Sequence, residues 1–460
     1  MAAACPQVMP DMSNATNSHH NEMLVPLHRR NYILGIINGI MVQVGNRLAD
    51  PMTVLPLLLI RLSGVTWMVG LLQAIIITAP AAPAIFASRF VDTAEHKLPI
   101  FIRYSIIRFA ALMGMALAVL AGGYLSGVLV ATLLLLFFAS WYTAQAVSTM
   151  AFMDIVAKST PTTKRGSFWM WRQTIGLFLV LTVAVPLIHY LLGDNSPAPF
   201  PVNYGILLLT TALILGGSWV VYSQTHEPHS EPSGDRLTVR QNLVRGLRFW
   251  REDPKFRRMM RVYLLLTAVG AIGPFFMALA VQRWHFPDTV AATFVTVQII
   301  AQMAGSIFQG RASDRWGNRR VFITAAFTGL IMALAATLGA VFAPAGGLEL
   351  FGYPVSYRLM ILSVCFAGGG VYIAHTWPGF MNYLMDIAPQ QQRPSYVGFA
   401  HLFVVPVGIV PVIFGWLAEA VGFQVVFAIA IVLAAIAVIL SLRINEPRDQ
   451  LTAEQLHNLG

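Results

Sequence analysis

The sequence predicts an all-α membrane protein with twelve transmembrane helices in two pseudo-symmetric bundles of six. Three observations predict it. The chain is 57% hydrophobic and only 11% charged, against about 25% charged in soluble domains, and its mean hydropathy is +0.66. Twelve apolar runs reach the ~20 residues that a helix needs to cross a bilayer. They cover 31–62, 66–89, 99–121, 124–156, 167–191, 204–223, 260–283, 288–310, 320–342, 356–388, 395–420 and 422–443. Lipid offers no hydrogen-bond partners, so each run must be helical. The basic residues are also one-sided: only Arg61, Arg283 and Arg358 fall on one face, and Arg47 lies inside a run. By the positive-inside rule both termini are then cytoplasmic. The net charge of +10 is topological and calls for no nucleic-acid partner.

Taken in order, residues 1–28 are polar and rich in Asn, Ser, His and Met, and are expected as a disordered cytoplasmic tail. They contain no apolar segment, so the first span itself must target the chain to the membrane. The soft ligands Cys5, Met9, Met12, His19, His20 and Met23 are irregularly spaced, and no metal site is expected. Cys5 and Cys365 imply no disulfide framework. Residues 29–223 form the N-terminal bundle and 260–443 the C-terminal bundle, with a second cytoplasmic tail over 444–460. The linker, 224–259, opens with the turn formers His226-Glu227-Pro228. It then becomes amphipathic, with Leu243, Leu247 and Trp250 at helical spacing among Arg240, Arg245, Arg248 and Arg251. Such a helix lies on an anionic membrane surface.

The halves repeat. Gly45 and Gln73 recur as Gly270 and Gln298, with the same spacing of 28 displaced by 225 residues. Met153-Asp154-Ile155 echoes Met385-Asp386-Ile387, and Arg165-Gly166-Ser167 echoes Arg393-Pro394-Ser395. Between the eighth and ninth runs lies Gly310-Arg-Ala-Ser-Asp-Arg-Trp-Gly-Asn-Arg-Arg320, expected as a tight charged loop outside the bilayer. Its pattern Gly-x-x-x-Asp-Arg-x-Gly-x-Arg-Arg, with the topology and the repeat, closely resembles the signature loop of the major facilitator superfamily of secondary transporters. The resemblance covers about residues 29–445. The first-half copy is worn down to Arg89, Asp92 and Lys97.

The resemblance implies alternating access around a central site bounded by spans 1, 4, 7 and 10. It also implies a gate on the cytoplasmic side, with Asp314 near the start of span 5. That gate comprises Gly310, Asp314, Arg315 and Gly317. Asp154 and Asp386 are the expected partners of Arg89, Arg165, Arg315 and Arg393, and Asp92 belongs to the worn copy. Span 5 holds Gly176 and Pro186 but lacks the Gly-Pro-x-x-Gly-Gly of proton-driven drug exporters. The core of span 4 lacks their arginine.

The residues themselves point to the first span. Gln43, Asn46, Arg47 and Asp50 stand at i, i+3, i+4 and i+7, a single helical face near the middle of an apolar run. A charge at that depth costs from about 2.5 to above 10 kcal/mol unless it is paired or faces a wet cavity. Arg47 and Asp50 are close enough to pair, and Pro51 should kink the helix beside them. Two readings stay open. Arg47 receives an anionic group while Asp50 carries a proton, or the two form a fixed ion pair.

Further candidates for the cavity wall are Gln73, Tyr142, Gln298, Gln302 and His375. Arg103, Arg108 and Arg172 are expected to snorkel to the cytoplasmic face. The function expected is transport of a small organic solute, with an anionic group and proton coupling as options. An uncoupled facilitator, an amphipathic-drug exporter and a transporter-like scaffold are the alternatives. No cofactor, metal or enzymatic centre is expected. The partners are the solute, protons if transport is coupled, and the lipid bilayer, with the chain a monomer. The compact loops suit a bacterial inner membrane.

Overall fold

The structure is a computed structural model that describes residues 12–80, 94–160, 162–194, 196–228, 239–342, 345–350, 352–389 and 393–446. Ten helices within them are long and apolar enough to cross a bilayer, and two shorter apolar helices, Val54–Ser63 and Trp67–Thr78, belong to the first two spans. Span 1 is Met12–Leu48 followed, after a break, by Val54–Ser63. Span 2 is described over Trp67–Thr78, span 3 is Leu98–Leu120 and span 4 is Gly127–Ser159. Span 5 joins Thr162–Leu179 to Val185–Leu192 through a π turn, Val180–Ala184, and span 6 is Val202–Ser223.

The linker helix, Val239–Glu252, leads into span 7, which is Pro254–Gly270 and Gly273–Ala278 prolonged by a π turn to Arg283. Spans 8, 9 and 10 are Val290–Trp316, Asn318–Phe342 and Tyr357–Ile387. Span 11 joins Arg393–Val404 to Ile409–Ala420 through a 3-10 turn, Val405–Gly408, and span 12 is Phe423–Leu442.

The repeat is visible in the irregularities. The turn in span 5 starts at Val180 and the turn in span 11 at Val405, which is again the offset of 225. Spans 1 and 7 both break near their middles. Two glutamates add a pair that escapes a search for matching spans. Glu227, after span 6, accepts the Lys97 and Leu98 N–H groups at the start of span 3, both at 2.7 Å. Glu446, after span 12, accepts the Arg319 N–H at the start of span 9 at 2.9 Å. Each carboxylate meets the positive end of a helix dipole, and each precedes a proline in the sequence.

Within the first bundle, span 1 packs on spans 5 and 6, and span 3 on spans 4 and 6; in the second, span 10 packs on spans 8 and 9, and span 12 on spans 7 and 9. The bundles meet where span 2 lies on span 11, the end of span 5 on span 8, and the last segment of span 1 on the second segment of span 7. These contacts gather toward the face opposite the termini.

Four expectations need correction. Span 1 begins at Met12, so residues 12–28 continue its helix; extending an existing helix adds a hydrogen bond per residue without a new nucleus. The charged signature is helical up to Trp316, and only Gly317, at φ 82°, separates spans 8 and 9. Charges outside the bilayer need no loop to hold them, and a single left-handed residue reverses the chain. The all-α expectation omits a small hairpin between spans 9 and 10, where Gly347–Leu350 pairs antiparallel with Tyr353–Ser356 around Gly352, at φ 81°. Span 1 is interrupted over residues 49–53, where a kink was expected.

At Gly317 a methyl group would meet the Glu446 carboxylate in a backbone conformation, φ 82° and ψ 170°, that costs an L-residue about 1–3 kcal/mol. Gly317→Ala should therefore lower the thermal midpoint of the purified protein, and Gly310→Ala, with open space around it, should not. Equal midpoints for the two variants would contradict the assignment.

Candidate functional site

The break in span 1 is organised by one carboxylate. Asp50 Oδ1 accepts the N–H groups of Met52 and Thr53 at 2.8 and 3.0 Å and the Thr53 hydroxyl at 3.1 Å. This is an N-cap for the segment that restarts at Val54. Its other oxygen accepts an Arg47 guanidinium N–H at 2.8 Å. Four donors thus converge on a side chain that, when ionised, offers only acceptors. Asp50 is 2% exposed.

Arg47 reaches across the bundles. Its other terminal nitrogen donates to Gln302 Oε1 of span 8 at 2.6 Å, and its side chain is 13% exposed. One turn earlier on span 8, Gln298 Nε2 donates to Met52 Sδ at 3.1 Å. Tyr142 of span 4 packs on Phe138 and Trp141, with ring centroids 4.6 and 5.3 Å apart. Arg47, Asp50 and Gln302 are bonded directly and Gln298 joins through Met52, so the group is drawn from both halves.

Other expected site residues are elsewhere. Gln43 turns to Gln173 of span 5, whose Oε1 accepts its amide at 3.0 Å. Asn46 is half-buried on the same face as Arg47, and Gln73 is half-buried on span 2. His375 belongs to the packing between spans 8 and 10: its Nδ1 hydrogen-bonds the Val371 carbonyl at 2.7 Å and its ring lies 5.9 Å from Phe308.

Arg108 and Arg172 do not snorkel. Arg108 is 7% exposed, stacks on Trp219 at 4.1 Å and donates to Gln145 and Ser148 at 3.2 Å. Arg172 is 8% exposed, donates to the Gly35 carbonyl and to Asn38, and faces the rings of Phe152, Phe168 and Trp169. Each sits about 10 residues into its span, roughly 15 Å of helix, and aromatic faces inside the bundle replace the water that snorkelling would seek.

On the face bearing the termini, the expected partners differ. Asp154 pairs with Lys158 on its own helix. Asp386 accepts the Asn318 side-chain amide at 2.7 Å. Arg315 lies over the Trp316 ring at 5.8 Å. Arg89 and Asp92 lie outside the described residues. Asp314, Arg165 and Arg393 are helical positions whose side chains also fall outside the description. On this face no hydrogen bond or ion pair between described residues joins the two bundles.

The opposite face carries a set of cross-bundle bonds that the sequence reading missed. Arg61 donates two N–H groups to Asp288 Oδ1 at 3.0 and 2.7 Å, and the Tyr204 hydroxyl donates to Asp288 Oδ2 at 2.9 Å. Glu419 of span 11 accepts the Thr66 and Trp67 N–H groups at the start of span 2. Gln282 bonds to both Thr66 and the Gly64 carbonyl. Arg61 and Asp288 are 227 residues apart, so no local spacing announces them. Their only sequence signal is that they stand on a face with few charges.

Residues 262–457 match the sequence profile of the Major Facilitator Superfamily. Uncharacterized proteins of Mycobacterium tuberculosis and Mycobacterium bovis are 23% identical over 189 residues, which is 41% of this chain. The aligned stretch spans only 36% of the length of those curated relatives. Among solved structures, a D-xylose-proton symporter aligns with a TM-score of 0.65 at 12% identity, covering 91% of this chain and 98% of that one. The nucleoside transporter NupG gives 0.62 at 11% identity over the same shares. An inward-facing bacterial homologue of the iron transporter ferroportin gives 0.61 at 14%, covering 90% and 98%. The chain has the helical membrane fold of these solved transporters, and its second half carries the profile of the Major Facilitator Superfamily.

The Asp50 cap has a clear signature in stability. Asp50→Ala removes four hydrogen bonds and leaves Arg47 without its carboxylate, a loss of about 3 kcal/mol or more. Asp50→Asn keeps an oxygen for the Met52 and Thr53 N–H groups and should lower the thermal midpoint less. A midpoint equally low for both would show that the cap contributes nothing.

Proposed function

We propose that the protein is a secondary transporter that moves a small organic anion by alternating access, with Arg47 as the residue that receives the anionic group. The observation that carries this reading is the position of Arg47. It is a part-buried arginine near the middle of span 1, held by Asp50 on one side and by Gln302 of the opposite bundle on the other. A solute carboxylate or phosphate replaces Gln302 with a bidentate partner of full charge, so binding also exchanges a contact between the bundles. The surroundings favour an anion. Arg108 and Arg172 are buried within the first bundle and Arg47 is part-buried beside Asp50.

Four donors on Asp50 support its role as the fixed counter-ion of Arg47 and argue against its cycling a proton. Transport is then uncoupled, or its coupling lies outside Asp50. Proton flux on solute addition separates the two.

With both termini cytoplasmic, the bonded face is the outer one. The Arg61–Asp288–Tyr204 and Glu419–span 2 contacts then form the outer gate. The helix that carries Asp314 and Arg315 belongs to the inner gate. The chain acts as a monomer in a bacterial inner membrane.

A thermal-shift screen of small carboxylates and phosphate esters on the purified protein tests the site. At least one should raise the midpoint of the wild type and leave Arg47→Gln unmoved. An anion that stabilises both alike, or none that stabilises either, would sink the role of Arg47. The gate is tested by cysteine labelling. Glu419→Ala frees the start of span 2 and should raise labelling of Asn46→Cys by an impermeant reagent from the outer face several-fold. Unchanged labelling would remove Glu419 from the gate.

A further inference from the structure

The linker helix, Val239–Glu252, has two unlike faces. On one, Gly246 and Phe249 are buried and Trp250 is half-buried. Phe249 stacks on Tyr396 with ring centroids 4.1 Å apart, and Trp250 stacks on Phe403 at 4.6 Å. The Phe399 ring fills the space where Gly246 would otherwise carry a side chain. Just beyond the helix, Asp253 Oδ2 accepts the Tyr396 hydroxyl at 3.0 Å. All these partners lie on the first segment of span 11, Arg393–Val404.

The other face is exposed. Val244 and Leu247 stand 59% and 43% exposed, with Arg248 and Arg251 beside them. Lys255 and Arg258 continue the exposed basic edge onto the first turns of span 7. Two acids lie nearby. Asp253 caps span 7 through the Lys255 and Phe256 N–H groups, and Glu252 pairs with Arg248 at 2.8 Å. Apolar side chains flanked by arginines, at the point where a span enters lipid, match a bilayer surface. Val244 and Leu247 enter the acyl boundary while the bases meet phosphate.

Span 11 is divided in a way that lets this contact matter. Its second segment, Ile409–Ala420, packs on span 2, where Gly415 lies against the Trp67 backbone. The first segment joins it only through the 3-10 turn Val405–Gly408, where Pro406 has no N–H to donate.

We propose that anionic phospholipid headgroups bind the basic face of the linker helix, and that the aromatic stacks transmit this binding to the first segment of span 11. Lipid charge thereby sets the inner end of a helix whose outer end is clamped to the opposite bundle. The proposal is independent of what is transported.

Hydrogen exchange read by mass spectrometry tests it on the full chain. One sample is in phosphatidylcholine vesicles and the other in vesicles of phosphatidylcholine mixed with phosphatidylglycerol. Amides over 239–252 and 396–404 should exchange several-fold more slowly in the anionic bilayer, with 409–420 unchanged. In the double variant R248E/R251E the difference between bilayers should vanish. In Phe249→Ala/Trp250→Ala it should persist over 239–252 and vanish over 396–404. Equal exchange in the two bilayers, or protection retained by R248E/R251E, overturns the lipid contact. Wild-type protection confined to 239–252, or protection of 396–404 retained without the two rings, overturns the transmission to span 11.

Discussion

An arginine halfway along a transmembrane helix has to be answered, and much of the architecture follows from the answer that Arg47 receives. Leaving such a charge alone costs from about 2.5 to above 10 kcal/mol. Asp50 supplies the opposite charge three residues later, but its carboxylate does more than pair. It turns back on the chain and caps the segment that begins at Val54. Pro51 has no N–H to continue the helix, and the cap satisfies the backbone donors that the interruption leaves. The helix break and the ion pair are therefore one structure. Arg47 still has donors to spare, and Gln302 takes one from the other bundle. A local electrostatic need thus becomes a contact between halves.

That contact lies between the two faces of the molecule. Toward the termini, no bond between described residues crosses from bundle to bundle. On the other side, Asp288 gathers Arg61 and Tyr204, and Glu419 holds the start of span 2. An exposed ion pair contributes about 0–1 kcal/mol, as does a carboxylate at a helix start. Several such bonds hold the two bundles together at a cost within reach of a ligand's binding energy, as the proposed outer gate requires. The breaks in spans 1, 5, 7 and 11 suit this arrangement, because bending concentrates where helical hydrogen bonds are already interrupted. Their recurrence at the offset of 225 in spans 5 and 11 ties the bending points to the repeat.

Much of the fold was legible because lipid makes few demands and makes them strictly. Twelve apolar runs, one-sided arginines and the spacing shared by Gly45–Gln73 and Gly270–Gln298 were enough for twelve spans in two related halves. The glycine-punctuated signature before span 9 carried the resemblance to the superfamily, whose profile matches residues 262–457. The same reasoning misjudged the state of that segment, because nothing in it forbids a helix before Gly317. It also put Arg108 and Arg172 at the water, since a linear reading cannot see that Trp219 and the Phe152–Phe168–Trp169 rings stand beside them. The capping glutamates Glu227 and Glu446 were readable in principle. Each precedes a proline just past the last helix of its bundle.

The sequence by itself determined the membrane class and the two-fold repeat, and put Arg47 within reach of Asp50, because these depend on composition, on matching spacings in the two halves and on residues within one turn of each other. Tertiary structure decided which polar groups share the centre. It brought Gln302 and Gln298 to span 1, turned Gln43 to Gln173, and left His375 in the packing of spans 8 and 10. It also assembled the cross-bundle bonds of Arg61, Tyr204 and Asp288 and those of Thr66 and Glu419, the last pair 353 residues apart. The physical reason is that a buried charge writes its need into its immediate neighbours, whereas a contact between bundles depends on how whole helices are placed, and periodicity along one helix does not encode that.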